Sequence, residues 1–247
     1  RLVSIVATGE KAVIYVNSRD QSVALARTLR KRVPDIAAHI AFYNAGLSRS
    51  DRKHVEEAFR DGELSCIVST SAFGEGVNLP DIRHVVLYHM PFGAIEFNQM
   101  SGRAGRDGKP ALIHLLYSSR DARINERLLD CYAPGRDELV TLYRALQTMW
   151  RSSRGKTGSD AFAASDIDIA QMCLAIDART PVDERSVTSG LGIFEELGFC
   201  RVTGHDEGRR IQMAERPGHV QLTRSIRYLE GLRSRMEFSA FRAWALD

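Results

Sequence analysis

Short apolar runs alternate with amphipathic segments through the first 118 residues, and this alternation constrains the fold of the chain. Residues 11–16, KAVIYV, are β-branched and aromatic without polar alternation, which is typical of a strand buried on both faces. Similar runs follow at 36–42, 65–68, 85–88 and 111–117. Amphipathic segments after the first two runs predict a parallel sheet with helices on both faces.

The pattern changes after Tyr117. Residues 118–150 lack strand-like runs and predict helices, and a polar segment with two glycines follows at 151–159. Two further helical segments then precede short strand-like runs at 199–203 and 210–213, an order typical of a winged helix. The sequence therefore predicts three regions, namely an α/β domain over 1–130, a helical connector and linker over 131–159, and a winged-helix-like α+β domain over 160–247.

Composition and charge argue against several classes of protein. The net charge of +3 is only mildly basic, which is compatible with nucleic acid without requiring it. No apolar run approaches the roughly 20 residues of a membrane span. The four cysteines are far apart, without a CxxC pair or a histidine at ligand spacing, so we expect no zinc or other metal site and a reducing, cytoplasmic compartment. Because the chain begins at Arg1, we expect it to be part of a longer protein.

Residues 99–108, QMSGRAGRDG, place Arg103 and Arg106 among glycines. Planar guanidinium groups match phosphate oxygens at two points, and glycine lets the backbone approach closely. The segment therefore suits a triphosphate, although a basic surface turn is the other interpretation. The chain contains no phosphate-binding GxxxxGK[ST] loop, since the imitation at 155–157 lacks the first glycine and follows a helical pattern.

Four segments in register resemble the second RecA-like domain of superfamily 2 helicases, and among them the RecQ-type DNA helicases. They are VIYVNSR at 13–19, YNAGL at 43–47, STSAFGEGVNLP at 69–80 and QMSGRAGRDG at 99–108. The resemblance implies the C-terminal half of an ATP-dependent DNA helicase of repair and recombination. ATP and Mg²⁺ would be bound mainly by an upstream RecA-like domain, so we expect this part by itself not to hydrolyse ATP.

The same resemblance implies roles at the nucleotide. Arg106 would be the arginine finger, Arg103 a second phosphate or interface contact, and Gln99 a partner of the nucleotide or its water. Five further residues would face the nucleotide, namely Gly74, Glu75, Gly76, Gly102 and Gly105. Glu75 departs from the methionine that is common in RecQ relatives, and a solvated carboxylate is its other interpretation.

The resemblance also implies contacts to a DNA backbone from residues at strand ends, namely Asn17, Ser18, Arg19, Asn44, Gly46, Ser69, Thr70 and Ser71. A helix cap at 17–19 and a capped strand end at 69–71 are the structural alternatives. Asn44 departs from the histidine usual in relatives, although its amide also donates hydrogen bonds.

The C-terminal region, from about residue 193, resembles the C-terminal region of some RecJ-type single-stranded-DNA-specific exonucleases. This resemblance implies an accessory region of a RecJ/RecQ hybrid, without the nuclease itself. The winged helix could bind duplex DNA through Arg185, Arg209 and Arg210, or dock a protein. A non-hydrolytic accessory region and an RNA-unwinding enzyme are the alternative functions. The cysteine cluster that follows residues 99–108 in many RecQ proteins is absent.

Overall fold

The computed structural model describes residues 1–73, 79–180, 182–204, 208–214 and 221–246. The chain divides into two compact units. The first unit comprises Arg1–Arg123 with the residues from Trp244 onward, and the second comprises Ile124–Ala243. Within the described ranges, no helix combines the length and the apolar character that a membrane crossing requires.

The first unit contains a parallel five-stranded sheet in the order β2-β3-β1-β4-β5. The strands are β1 Ala12–Tyr15, β2 Ile40–Tyr43, β3 Cys66–Ser69, β4 His84–Leu87 and β5 Leu112–Leu115. The helices are α1 Leu2–Val6, α2 Arg19–Arg32, α3 Arg49–Arg60 and α4 Ala94–Ser101, and α5 Ser119–Tyr132 leads into the second unit. The α/β prediction is confirmed.

The second predicted strand begins later than the sequence pattern suggested. Residues Pro34–His39 form a 3₁₀ helix, and β2 begins only at Ile40. Proline at the first position fixes its φ angle and lacks an N–H group, which suits the start of a helical turn better than a strand.

Both faces of the sheet are covered, so β1, β3 and β4 are buried along their whole length. Successive side chains in each strand enter different cores because their directions alternate. One core contains Val13, Ile67 and Val85, which are paired across the three strands. The other contains their chain neighbours Ile14, Val68 and Val86.

The second unit combines helices with a small antiparallel sheet in the order β6-β8-β7. Its elements after α5 are α6 Arg136–Thr157, β6 Ala161–Ala163, α7 Asp166–Ile176, α8 Glu184–Glu196, β7 Cys200–Thr203, β8 Arg210–Met213 and α9 Ile226–Leu246. The order helix, helix, hairpin agrees with the winged-helix-like prediction. Strand β6 has only three residues, and the sequence pattern did not reveal it.

Helix α6 differs from the expected connector and linker over 131–159. The polar segment at 151–159 does not end the helix, which continues to Thr157 and stops at Gly158, with φ of +64°. One face of α6 places Leu142 and Leu146 in the core of the second unit, together with residues of α7 and α8. The apolar stripe of α6 therefore makes it a core helix, although its solvent face has the composition of a linker.

Candidate functional site

A cavity of about 480 Å³ lies at the carboxyl end of β1 in the first unit. Tyr15 at the end of β1 and Ser71 after β3 contribute to its wall, as do α4 and the residues that follow it. Strand β1 is central, with β3 on one side and β4 on the other, and ligands of parallel sheets bind where connections diverge in this way. We call this site the arginine cavity, because Arg103 and Arg106 both line it.

Both arginines have guanidinium nitrogens available for a ligand. Arg106 is exposed, and its Nε donates a hydrogen bond to the Gly102 carbonyl oxygen at 3.0 Å, while Arg103 is half-buried. Neither side chain forms an ion pair with any residue that the structure describes. Burial raises the pKa of Tyr15 to about 12, and the positive charges of Arg103 and Arg106 both oppose this rise. The two cations therefore act on the same buried phenol.

The loop that carries the arginines is fixed to the segment before β4. Gly105 has φ of +58°, and a Cβ atom there would lie 2.7 Å from the carbonyl oxygen of Lys109, so only glycine fits without distortion. The N–H of Gly105 donates to the Ile82 carbonyl oxygen at 3.0 Å. Arg83 Nη2 lies 2.6 Å from Asp107 Oδ1 and lowers the pKa of that carboxyl.

Glu96 also lines the arginine cavity, although no predicted motif contained it. Its Oε2 accepts a hydrogen bond from the N–H of Phe92 at 2.7 Å, and its Oε1 lies 3.7 Å from His89 Nε2. Burial acts to raise the pKa of Glu96, but His89 and the Phe92 N–H outweigh it and hold that pKa below its usual value. Its position three residues before Gln99 on α4 was the available signal, since residues so spaced share a helix face.

Two of the predicted nucleic-acid contacts, Asn44 and Ser69, are buried and hydrogen-bonded within the protein. Asn44 is 5% exposed, its Nδ2 donates to Ser22 Oγ at 2.9 Å, and its Oδ1 accepts from the N–H of Gly46 at 2.9 Å. Ser69 is fully buried, and its Oγ donates to the Thr70 carbonyl oxygen at 2.7 Å. These side chains stabilise the strand ends from within the protein.

The remaining predicted contacts are exposed or half-buried at the ends of β1, β2 and β3. Ser18 caps α2, since its Oγ accepts from the N–H of Gln21 at 3.1 Å, as the helix-cap interpretation predicted. Arg19 and Ser71 are exposed, and the aliphatic part of Arg19 lies beside Gly46. The predicted nucleotide contacts Gly74, Glu75 and Gly76 lie outside the described residues.

In the second unit, Arg209 joins the hairpin to the rest of the fold. Its Nη1 lies 2.6 Å from Asp166 Oδ1 at the start of α7, and its Nη2 donates to the Ala164 carbonyl oxygen at 2.8 Å. Arg185 and Arg210, the other two basic residues considered for duplex DNA, are exposed. Within the described ranges, no three His, Cys, Asp or Glu side chains are arranged to hold a metal ion.

The part of the chain that contains the arginine cavity is similar to a known protein family. Residues 1–108 match the model of the helicase conserved C-terminal domain. All the motif segments and the whole lining of the arginine cavity lie within this match.

Three relatives illustrate the similarity. The probable ATP-dependent DNA helicase RecS of Bacillus subtilis is 33% identical over 135 residues, which are 55% of this chain and 27% of RecS. The RecQ helicase of Pasteurella multocida is 37% identical over 113 residues, 46% of this chain and 17% of that protein. Human ATP-dependent DNA helicase Q4 is 32% identical over 143 residues, 53% of this chain and 12% of Q4. The matched part thus spans less than a third of each of these relatives. The resemblance of the C-terminal region to RecJ-type exonucleases stays a prediction.

Proposed function

We propose that this chain, whose residues 1–108 belong to the helicase conserved C-terminal domain family and are of the RecQ type, is the C-terminal part of an ATP-dependent DNA helicase. In that helicase, a cytoplasmic protein of DNA repair, an upstream RecA-like domain binds ATP and Mg²⁺. The observation that carries the proposal is the arginine cavity. Arg103 and Arg106 line it together, without an ion-pair partner among the described residues, so their charges are available to an anion.

Each residue of the arginine cavity has a proposed task. Arg106 stabilises the charge that develops on the transferred phosphoryl group, and the hydrogen bond to Gly102 limits the freedom of its guanidinium. Arg103, half-buried beside it, contacts a second phosphate or the upstream domain. Gln99 is exposed on α4 and hydrogen-bonds the nucleotide or the attacking water.

A DNA strand would cross the carboxyl ends of β1 and β3. These strands are parallel neighbours with Tyr15 opposite Ser69, so the residues that follow them lie side by side. Arg19 and Ser71 are exposed there and suit phosphate oxygens, which bind guanidinium groups, hydroxyls and backbone amides. The strand is proposed to be DNA because the relatives are DNA helicases.

The direct test is DNA-stimulated ATP hydrolysis by the full-length parent protein carrying Arg106→Ala. Turnover is expected to fall by at least about 10³, the lower range for loss of an arginine finger. Lys109→Ala is the matched control, since Lys109 is an exposed cation three residues away that does not line the arginine cavity. Near-normal turnover of the Arg106→Ala protein contradicts the proposal.

Comparing single-stranded DNA with single-stranded RNA as activators of the same ATPase tests the nature of the strand. DNA is expected to stimulate turnover more strongly. A preference for RNA retains the role of the arginines and overturns the choice of DNA.

A further inference from the structure

The second unit contains a cavity of about 710 Å³ that none of the helicase motifs reaches. Tyr143, Phe194, Phe199 and Tyr228 contribute rings to its lining. The first three rings pack edge to face, with centroids 5.4 to 5.8 Å apart. The volume lies within the range of about 300–1,000 Å³ that is usual for ligand sites. We call it the aromatic cavity.

Two arginines from α6 give this apolar site a positive charge. Arg136 and Arg144 line it, both are exposed, and neither guanidinium forms a hydrogen bond or ion pair with a described residue. The charge of Arg144 acts on Asp177, but that carboxylate already accepts hydrogen bonds from Thr180 Oγ1 at 2.8 Å and the Arg179 N–H at 3.0 Å. Among the described residues, no carboxylate lines the aromatic cavity.

The positive charge continues along α6 beyond the aromatic cavity. Arginines at 136, 144, 151 and 154 fall within an arc of about 80° on this helix and extend over about 27 Å, although Arg154 Nε already lies 3.4 Å from Asp160 Oδ1. Rings are interleaved with them on the same side. Tyr143 lines the cavity, and the Arg154 guanidinium lies over the ring of Trp150, 5.4 Å from its centroid. We call this side of the helix the α6 stripe.

The chemistry of the aromatic cavity points to a ligand with three features. Aromatic walls favour a flat group with a π face, and unpaired arginines favour an anion next to it. Gln147, Gln221 and Thr223 add donors and acceptors that can meet polar ring edges. A nucleotide has all three features, and a chain of phosphates that continues from it fits the exposed Arg151 of the α6 stripe. Because bases in a duplex are stacked and paired, the base that enters must be unpaired.

We propose that the aromatic cavity holds an unpaired base of a DNA strand whose phosphates lie along the α6 stripe. The site belongs to the second unit and is separate from the strand contacts proposed for β1 and β3. The choice of DNA rests on the proposed helicase function, whereas the base and phosphate chemistry rests on the cavity itself.

The test is fluorescence anisotropy with the complete chain and two labelled strands, a short oligothymidylate and the same phosphate chain with abasic sugars. All proteins carry Arg19→Ala and Ser71→Ala, which remove the contacts proposed for the first unit. Oligothymidylate is expected to bind at least about fivefold more tightly than the abasic strand, since stacking of one base contributes about 1–3 kcal/mol. Val140→Trp, which fills the cavity from its exposed rim, is expected to abolish this preference.

The phosphate contacts are tested by salt dependence. Arg136→Ala with Arg144→Ala is expected to reduce the slope of log affinity against log salt by about 1.4, since each contact to a single strand contributes about 0.7. Arg127→Ala with Arg179→Ala removes the same charge from exposed positions outside the cavity and is expected to leave the slope unchanged.

Three results overturn the proposal. The first is equal binding of the base-containing and abasic strands by the protein with an intact aromatic cavity. The second is an unchanged salt slope after loss of Arg136 and Arg144. The third is binding of an acidic, phenylalanine-containing peptide that Val140→Trp abolishes while oligothymidylate binding is unaffected, which assigns the cavity to a protein partner. None of these results depends on whether Arg106 supports ATP hydrolysis.

Discussion

The arginine cavity and the aromatic cavity are each lined by two arginines, but the other residues that line them differ in character. Tyr15 and Phe73 border the arginine cavity as nearly sealed side chains, 1% and 2% exposed, and the polar Gln99 and Glu96 reach it from α4. In the aromatic cavity the rings of Tyr143, Phe199 and Tyr228 are half-buried and so remain partly accessible, while Phe194 is buried. We therefore expect arginine to attract an anion in both places and the wall to select which part of the ligand enters.

The two cavities also differ in completeness. The arginine cavity offers cations for a triphosphate, but the sequence contains no GxxxxGK[ST] loop to hold one. The lining of the aromatic cavity comes from α6, α8, α9 and residues near Leu222, all within the second unit. We therefore expect function at the first site to require an upstream domain, and binding at the second to require only this chain.

The largest expected effect is a difference in ATP turnover between loss of the arginines of the arginine cavity and loss of those of the aromatic cavity. In the full-length parent, Arg103→Ala with Arg106→Ala is expected to reduce ATP turnover by at least about 10³. Arg136→Ala with Arg144→Ala is expected to leave turnover at saturating DNA within about threefold, because that pair contacts only the strand. Steady-state ATPase assays measure both. An equal loss of ATP turnover in the two double variants contradicts the proposal that the two cavities have different functions.

The sealed wall of the arginine cavity predicts loss of stability at high pH. Burial raises the pKa of Tyr15 from 10.0 to about 12, so the unfolded chain loses this proton first as pH rises. Between pH of about 10 and 12 the contribution of Tyr15 to the free energy of unfolding is expected to fall by roughly 2–3 kcal/mol. Urea unfolding of the wild type and Tyr15→Phe across this range measures it. The Tyr15→Phe variant is expected to lose correspondingly less stability over this range. An equal loss of stability in the two proteins contradicts the raised pKa of Tyr15.

The core beneath the aromatic cavity is tested at Gly190 on α8. A Cβ atom there would lie 2.3 Å from Leu142 Cδ2, and Leu142 is itself buried. Gly190→Ala is therefore expected to destabilise the protein by about 1–3 kcal/mol in urea unfolding. Gly155→Ala on α6 meets open space and is the control, with an expected gain of up to about 1 kcal/mol from helix propensity. Equal stability of the two variants shows that α6 and α8 have more room than the structure indicates.

The smallest effect concerns Asn44 and Asn17, both at strand ends of the first unit. Asn44→Ala removes two buried hydrogen bonds and is expected to lower the free energy of unfolding by about 1–2 kcal/mol. Asn17→Ala, at an exposed position, is expected to change it by less than about 0.5 kcal/mol. If Asn44→Ala instead leaves stability unchanged and weakens DNA binding, the original nucleic-acid interpretation of Asn44 is correct.

The strand-end residues show how far sequence reasoning reached. Local pattern located the five strands, the cap at Ser18 and the loop around Arg103 and Arg106, because each depends on neighbours in the chain. Local pattern did not show that Asn44 is buried while Arg19 is exposed, because the burial of a polar side chain depends on which other segments of the chain pack against it. Glu96 shares a helix face with Gln99, which was a local signal, but its position beside His89 and on the cavity wall depends on the fold.

By itself, the sequence determined the α/β architecture of the first unit and the position of the arginine loop, because buried strands, caps and glycine turns are specified by short stretches of chain. Only the tertiary structure decided that α6 is a core helix and that an aromatic cavity exists. The rings at 143, 194, 199 and 228 come from three separate stretches of the chain, and hydrophobic burial brings them together.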